Sequence, residues 1–285
     1  MRCVCSLLLL TVLAGILSAG TPTDDAIALY RAKRYPHART ALESIVAAEP
    51  ANAAACYYLG MTFRHRSESG SLTAAVKWLK RAVELEPGNS TYLADYGGTS
   101  LQFSNQTRSL SAAIAGRDAM EKAIQLNPGN LEAREGLRRF YDEAPWPLGS
   151  RAKAKAQLEE ISRRDPDRGA VLRVLMKVRA KDFEGAFALC DDVLEQKPDN
   201  YAALYQYGRT TTLCGQNLDR GLACLQKCLT LTPSPDQSSH AQIWLRIGNI
   251  YELRHQPTEA RAAYASALKL EPDNGPAAAA LTKLP

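Results

Sequence analysis

Between His240 and Pro272, large and small apolar residues recur at steps of three and four along the chain, with one break near Gln256 and Pro257. Residues at such steps lie on one face of an α-helix, so the segment predicts two antiparallel helices joined by a short turn. A single pair of this size cannot bury its apolar face alone and needs neighbours stacked against it. This segment therefore restricts the chain to folds in which helical hairpins pack side by side.

The order of residues in this segment resembles the tetratricopeptide repeat (TPR), a helix-turn-helix unit of about 34 residues. The resemblance is carried by Trp244, Ile247, Gly248, Tyr251, Ala260, Tyr264, Ala267 and Pro272, which match the pattern in type and spacing. The resemblance implies an all-α fold, a right-handed superhelical solenoid whose first helices line a concave groove.

The same pattern recurs along the chain, where seven prolines, 32 to 41 residues apart, stand at the expected ends of second helices. They are Pro50, Pro87, Pro128, Pro166, Pro198, Pro233 and Pro272. Because proline cannot extend a helix, we predict about seven repeats in residues 21–285, with a short C-terminal cap at 276–285. Asn89, Asn130 and Asn200 follow three of these prolines and are expected to cap the next helix.

A bulky residue followed by glycine marks the first helix of four repeats, at Gly60, Gly97, Gly208 and Gly248. Glycine lets two helices approach closely, since a side chain would push them apart. Ala26 can replace it in the first repeat. The fourth and fifth repeats carry Arg138 and roughly Met176 at this position, so less regular packing is expected there.

The first 20 residues are expected to lie outside the fold. Arg2 precedes an apolar run from Cys3 to Leu17, and small residues follow as far as Gly20. This order is typical of a secretory signal peptide cleaved after a small residue. A retained anchor is the alternative, but the run is short for a membrane span of about 20 residues. We therefore expect a periplasmic or secreted protein with no stable membrane span.

Charge and motifs argue against several functional classes. A net charge of +5 is too small to indicate a nucleic-acid-binding surface. The sequence holds no phosphate-binding loop, zinc-protease motif or nucleophile elbow. The four histidines are scattered and form no ligand or triad motif. We therefore expect no enzyme activity, no cofactor and no metal site.

Candidate partner-binding residues come from the first helices, which the family resemblance places along the groove. They are Tyr57, Met61, Arg64, Arg139, Tyr205, Arg209 and Asn249. This mixed aromatic and basic set predicts binding of an extended or helical peptide with some acidic character. The carboxylate clamp of the chaperone-binding TPR proteins is missing, because Ala94 and Gly98 are among the residues at its positions.

Insertions lengthen the second, third and fourth repeats. The spacing from the first-helix marker to the small residue of the second helix is 15, 19 and 16 residues there, against 12 in the seventh repeat. We expect longer polar loops near residues 64–69 and 104–109, forming either a binding edge or a neutral surface. In the fourth repeat, Pro145 and Pro147 flank Trp146, which either anchors a partner or, more commonly for such a residue, folds back over its own helix pair.

Five cysteines remain once the leader is removed, an odd number for an oxidising compartment. Cys214 with Cys228, or with Cys224, is a candidate disulfide across the sixth hairpin.

The sequence thus predicts an exported TPR scaffold that binds a protein or peptide, in assembly of an envelope or secretion complex. The alternatives are a homo-oligomer built through the C-terminal end and an accessory subunit of an envelope enzyme.

Overall fold

The computed structural model describes residues 21–64, 70–234 and 237–284, and the predicted leader lies outside them. The described residues form fifteen α-helices and no strand. The chain divides into two compact units, Met1–Phe140 and Tyr141–Pro285, with the boundary inside the seventh helix. The expected all-α fold of about seven helical hairpins is confirmed.

Unit 1 contains three complete hairpins and most of the next helix. Its helices are α1 (Pro22–Arg31), α2 (Tyr35–Ala48), α3 (Ala53–Arg64), α4 (Ser71–Leu85), α5 (Ser90–Thr107), α6 (Leu110–Leu126) and α7 (Leu131–Glu143). Helices α1, α3 and α5 each pack against their own second helix, and α2 and α4 also contact the first helix that follows them. The core between α1 and α5 is built from side chains such as Leu42, Leu59 and Leu79, all fully buried.

Unit 2 continues the same arrangement and ends in a single helix. Its helices are α8 (Arg151–Arg164), α9 (Pro166–Arg179), α10 (Phe183–Gln196), α11 (Tyr201–Cys214), α12 (Leu218–Leu229), α13 (His240–Leu253), α14 (Pro257–Leu270) and α15 (Gly275–Lys283). Helix α15 buries Ala277 and packs against α14, as expected of the C-terminal cap.

Local sequence sets where these helices begin and end. All seven repeat-end prolines lie two to four residues past a second helix, and Pro166 is also the first residue of α9. The side chains of Asn89, Asn130 and Asn200 accept hydrogen bonds from backbone N–H groups two or three residues on, at 2.9 to 3.2 Å. The predicted asparagine caps are therefore present.

The four marker glycines lie where the two helices of a hairpin meet. A Cβ built on Gly97 would lie 2.8 Å from the Gly116 carbonyl oxygen, and one on Gly248 would lie 2.3 Å from a Tyr264 ring carbon. Gly60 and Gly208 face Leu79 and Leu225 at similarly short distances. Since real Cβ atoms do not approach this closely, glycine is required for the observed helix separation.

In the fourth repeat the close-packed glycine lies at another position and faces the second helix of the preceding repeat instead of its own. Gly136, two residues before Arg138, is the close-packed glycine of α7, and a Cβ there would lie 2.2 Å from Met120 Sδ of α6. In the fifth repeat Met176 is 38% exposed, so it does not replace a buried glycine. These two first helices therefore pack differently from those of the other repeats, as the sequence indicated.

The expected loop at residues 104–109 is wrong. Helix α5 runs to Thr107 and α6 starts at Leu110, so the inserted residues lengthen both helices and leave a two-residue turn. The predicted loop of the second repeat falls largely on residues 65–69, outside the described residues.

Candidate protein-binding surface

Five tyrosines from α1, α2, α3 and α5 form a connected aromatic surface in unit 1. We call it the tyrosine face: Tyr30, Tyr35, Tyr57, Tyr58 and Tyr92. The Tyr30 ring centroid lies 5.4 Å from that of Tyr35 and 5.2 Å from that of Tyr58. Tyr57 lies 5.0 Å from Tyr58 and stacks on Tyr92 at 4.3 Å. Tyr57 is buried and the other four are half-buried, so one continuous aromatic layer is partly open to solvent.

An acidic residue ties this layer to a cation. Asp95 of α5 accepts a hydrogen bond from the Tyr57 hydroxyl at 2.7 Å through one carboxylate oxygen. Its other oxygen accepts from Arg64 Nη1, also at 2.7 Å. Arg64 Nη1 further contacts Met61 Sδ at 3.8 Å. Of the predicted groove residues, the structure thus brings Tyr57, Met61 and Arg64 together at one place.

The hydroxyls of Tyr30, Tyr57 and Tyr92 stay protonated at neutral pH. Burial raises the pKa of Tyr30 and of Tyr92 to about 12. For Tyr57, burial and then the charge of Asp95 raise the pKa well above its usual range. These phenols therefore act as neutral hydrogen-bonding groups on a fixed scaffold.

The first helices of neighbouring repeats contact each other through equivalent positions, counted from the marker residue of each repeat, and we call this spacing the register. Tyr30 stands four residues after Ala26 and meets Tyr58, which stands two residues before Gly60. Arg64 and Asp95 hold the corresponding positions one repeat later and form an ion pair. The family pattern gave Tyr57 and Arg64, but this register between neighbouring repeats was not apparent from it.

In unit 2 the equivalent positions hold Thr212, four residues after Gly208, and Arg246, two residues before Gly248. Thr212 carries no carboxylate, and among the described residues the Arg246 guanidinium forms no ion pair. Arg246 lines a cavity of about 450 Å³ together with the predicted groove residue Tyr205 and with Gln242 of α13. Glu271 and Asp273 also line this cavity, so its charges are mixed.

The other predicted groove residues do not share one site. The side-chain oxygen of Asn249 accepts a hydrogen bond from the Tyr264 hydroxyl at 2.9 Å, so this amide serves the packing of its own hairpin. Arg209 has a buried Nη1 with no hydrogen-bond partner among the described residues. Arg139 is exposed on α7 in unit 1.

Trp146 does not fold back over its helix pair, so the commoner outcome expected from the sequence is wrong. Its side chain is 90% exposed. The loop is held at its base by hydrogen bonds from Gly149 N to Pro145 O at 3.0 Å and from Ser150 N to Tyr141 O at 2.8 Å. A Cβ on Gly149 would lie 1.9 Å from the Ala144 carbonyl oxygen, so the backbone of the loop closes tightly at its base.

The candidate disulfide in the sixth hairpin is also wrong, since all five described cysteines are free thiols. Cys214 ends α11 next to the turn, whereas the Cys228 thiol lies 3.8 Å from the carbonyl of Tyr201, the first residue of α11. Cys214 therefore lies at the C-terminal end of the 14-residue helix α11, whereas Cys228 of α12 lies beside the N-terminal end of α11. Burial raises the pKa of Cys190 and Cys228 to about 12, which keeps both as unreactive thiols.

Tyr30, Tyr58, Tyr92 and Asp95 were missed because each was judged against the family pattern alone. A compositional signal was present: six of the twelve tyrosines lie between residues 30 and 96, including Tyr96. Concentration of one aromatic type in the first three repeats could have indicated a shared surface.

Comparison with known proteins agrees with the observed fold. Tetratricopeptide repeat family models match residues 23–90 and 241–274. No curated protein matches the chain. None of the helices described is long and apolar enough to cross a bilayer.

Two solved structures give the extent of the structural likeness. A tetratricopeptide repeat protein from Parabacteroides merdae is 14% identical, with a TM-score of 0.59, over 92% of this chain and 96% of that one. Yeast Tom70 is 15% identical, with a TM-score of 0.67, over 92% of this chain and 52% of its own. At these identities the likeness shows the fold and does not specify a function.

Proposed function

We propose that this chain is a non-enzymatic scaffold that binds an extended segment of a partner protein on the tyrosine face of unit 1. The observation that supports the proposal is the connected aromatic layer of Tyr30, Tyr57, Tyr58 and Tyr92. A hydrogen bond from the Tyr57 hydroxyl to Asp95 holds this layer in place. TPR folds present their first helices to protein partners, and four of the five tyrosines of the face lie on three successive first helices.

Physical chemistry favours binding on such a face. Tyrosine offers a large contact area with only two rotatable side-chain bonds, so little entropy is lost when a partner docks. Here the rings are already immobilised by one another, and the Arg64–Asp95 pair holds the edge of the layer. Aromatic anchors of this kind carry much of the binding free energy in protein interfaces.

The leader pattern in residues 1–20 supports export of the protein. We propose that the scaffold acts in the periplasm or outside the cell, where it holds a component of an envelope or secretion complex during assembly. The exposed Trp146 of unit 2 is a separate candidate contact for a protein partner.

A random peptide library panned on the wild-type protein tests the proposal. Recovered peptides should bind Tyr58→Ala at least roughly tenfold more weakly, which is the effect of losing an interface anchor. Tyr205→Ala is the matched control, because it removes the same side chain from the cavity of unit 2. Ligands that lose affinity with Tyr205→Ala and keep it with Tyr58→Ala would place the binding site in unit 2 and refute the proposal.

A further inference from the structure

We infer that the segment bound on the tyrosine face is proline-rich and lies there as a polyproline II helix. This inference rests on the binding function proposed above and specifies the chemistry of the ligand. It replaces the expectation of a partly acidic peptide.

The charges of the face are already matched within the protein. Asp95 accepts hydrogen bonds from Tyr57 and Arg64 with both carboxylate oxygens, and Arg64 makes its ion pair at 2.7 Å. An acidic ligand would have to compete with Asp95 for Arg64, and a basic ligand would have to compete with Arg64 for Asp95. A neutral ligand displaces neither partner, so the face favours one without charged side chains.

The arrangement of the rings suits a rigid apolar ridge. Three of the neighbouring pairs meet at 57° to 78°, whereas Tyr57 and Tyr92 are nearly parallel at 18°. Tilted neighbours leave steps between rings, where the compact pyrrolidine ring of a proline can pack against an aromatic face. Aromatic-lined grooves of this kind bind proline-rich segments, whose preformed helix loses little entropy on docking.

The tyrosine hydroxyl groups of the face can donate hydrogen bonds to the backbone of a polyproline II helix. A polyproline II helix has no internal hydrogen bonds, so its carbonyl groups remain available as acceptors. Across residues 21–64, 70–234 and 237–284, the hydroxyls of Tyr58 and Tyr92 form no hydrogen bond. Burial keeps the Tyr92 hydroxyl protonated, with a pKa of about 12, so it is able to donate.

Single-stranded nucleic acid also stacks on aromatic rings, but the proteins that bind it line such rings with unpaired basic residues along the backbone path. The arginine on this face is neutralised by Asp95. The matched charges therefore favour the proline-rich segment.

The test is calorimetric titration of the full protein with three synthetic peptides of about nine residues: one of proline, one in which every second proline is alanine, and one carrying aspartates in place of those alanines. We expect affinity to fall at least threefold from the first peptide to the second, and no gain from the aspartates. Equal affinity for the first two, or tightest binding of the acidic peptide, would overturn the inference.

Three variants locate the binding. Tyr58→Ala should lower the affinity for the proline peptide at least roughly tenfold. Tyr58→Phe, which keeps the ring, should lower it about threefold through loss of one hydrogen bond. Tyr251→Ala in unit 2, at a half-buried tyrosine outside the candidate binding residues, should have no effect. Proline-peptide affinity unchanged by both Tyr58 variants would show that the face is not the site and would refute the assignment.

The outcomes separate this inference from the proposed function. If the proline peptide fails while panned peptides without proline still depend on Tyr58, only the ligand class is wrong. If no ligand of either kind depends on Tyr58, both proposals fail.

Discussion

Gly97 and Gly98 are neighbours on α5 with opposite surroundings. A Cβ on Gly97 would lie 2.5 Å from Met120 Cγ and 2.8 Å from the Gly116 carbonyl oxygen, whereas one on Gly98 meets nothing within 4 Å. The carbonyl belongs to the backbone of α6 and cannot move aside without moving the helix. Substitution of Gly97 therefore tests close helix packing, whereas substitution of Gly98 tests only the low helix propensity of glycine.

We predict that Gly97→Ala lowers the free energy of unfolding by about 1–3 kcal/mol through overpacking. Gly98→Ala, the control, should raise it by up to about 1 kcal/mol, because alanine favours the helix. Urea denaturation followed by circular dichroism measures both. Equal effects of the two substitutions would show that α5 and α6 do not approach as described.

The buried tyrosines predict an alkaline loss of stability. Burial raises the pKa of Tyr30, Tyr92, Tyr201 and Tyr207 to about 12 in the folded protein, against about 10 for an unfolded tyrosine. Between these values the unfolded chain releases protons that the folded chain keeps, so the free energy of unfolding falls as pH rises. Below pH of about 10 this contribution is fully present.

Urea denaturation at a series of pH values from about 9 to 12 checks this prediction. The buried thiols contribute with the same sign, so Tyr30→Phe, which removes one titrating group, serves as the control and should flatten the slope above pH of about 10. A free energy of unfolding that stays constant across this range would contradict the tyrosine burial described for both units.

At the scale of elements, the insertion in the third repeat was absorbed by helix rather than loop. Residues 104–107 contain no glycine or proline to stop α5, so the helix continues until Arg108, which adopts a positive φ of 57°. Ser109 then caps α6 by accepting a hydrogen bond from Ala112 N at 3.3 Å. Where an insertion contains proline, as at residues 144–150, a loop forms instead.

The loop at residues 144–150 leaves the Trp146 side chain in solvent. Because the Trp146 side chain is 90% exposed, Trp146→Ala should change the free energy of unfolding by less than about 0.5 kcal/mol. Gly149→Ala should lower it by about 1–3 kcal/mol, since the added Cβ would lie 1.9 Å from the Ala144 carbonyl oxygen. Thermal denaturation of the two variants checks this, and a large loss for Trp146→Ala would show that the indole packs against the protein.

At the scale of the whole chain, contacts are short in range. Within each unit, helices contact those one or two places away in the chain. In such repeat arrays stability is a sum of local terms and nearest-neighbour terms, so a destabilising change should act mainly on its own neighbourhood.

We therefore predict that Gly97→Ala increases amide hydrogen exchange in α3 to α6 and leaves α11 to α14 unchanged. Exchange measured by mass spectrometry checks this, with Gly98→Ala as the control that should not increase exchange. Uniformly faster exchange along the whole chain would show a single cooperative unit instead.

Much of this architecture was predictable from the sequence. The period of apolar residues, the repeat-end prolines and the marker glycines at Gly60, Gly97, Gly208 and Gly248 fixed the hairpins and their count. These signals are local: helix period and proline sterics act within a few residues, and each marker glycine acts within its own hairpin, so none needs knowledge of the other repeats.

The candidate site was only partly predictable. Tyr57, Met61 and Arg64 were identified from their places in the repeat, but their meeting with Tyr30, Tyr92 and Asp95 depends on how one repeat stacks on the next. The exposure of Trp146 and the separation of Cys214 from Cys228 likewise depend on the path of the backbone between elements. Sequence alone thus determined that this chain stacks helical hairpins, because that follows from local patterns. Which side chains form a surface was decided by the tertiary structure, because residues about 30 positions apart come into contact only when the repeats pack.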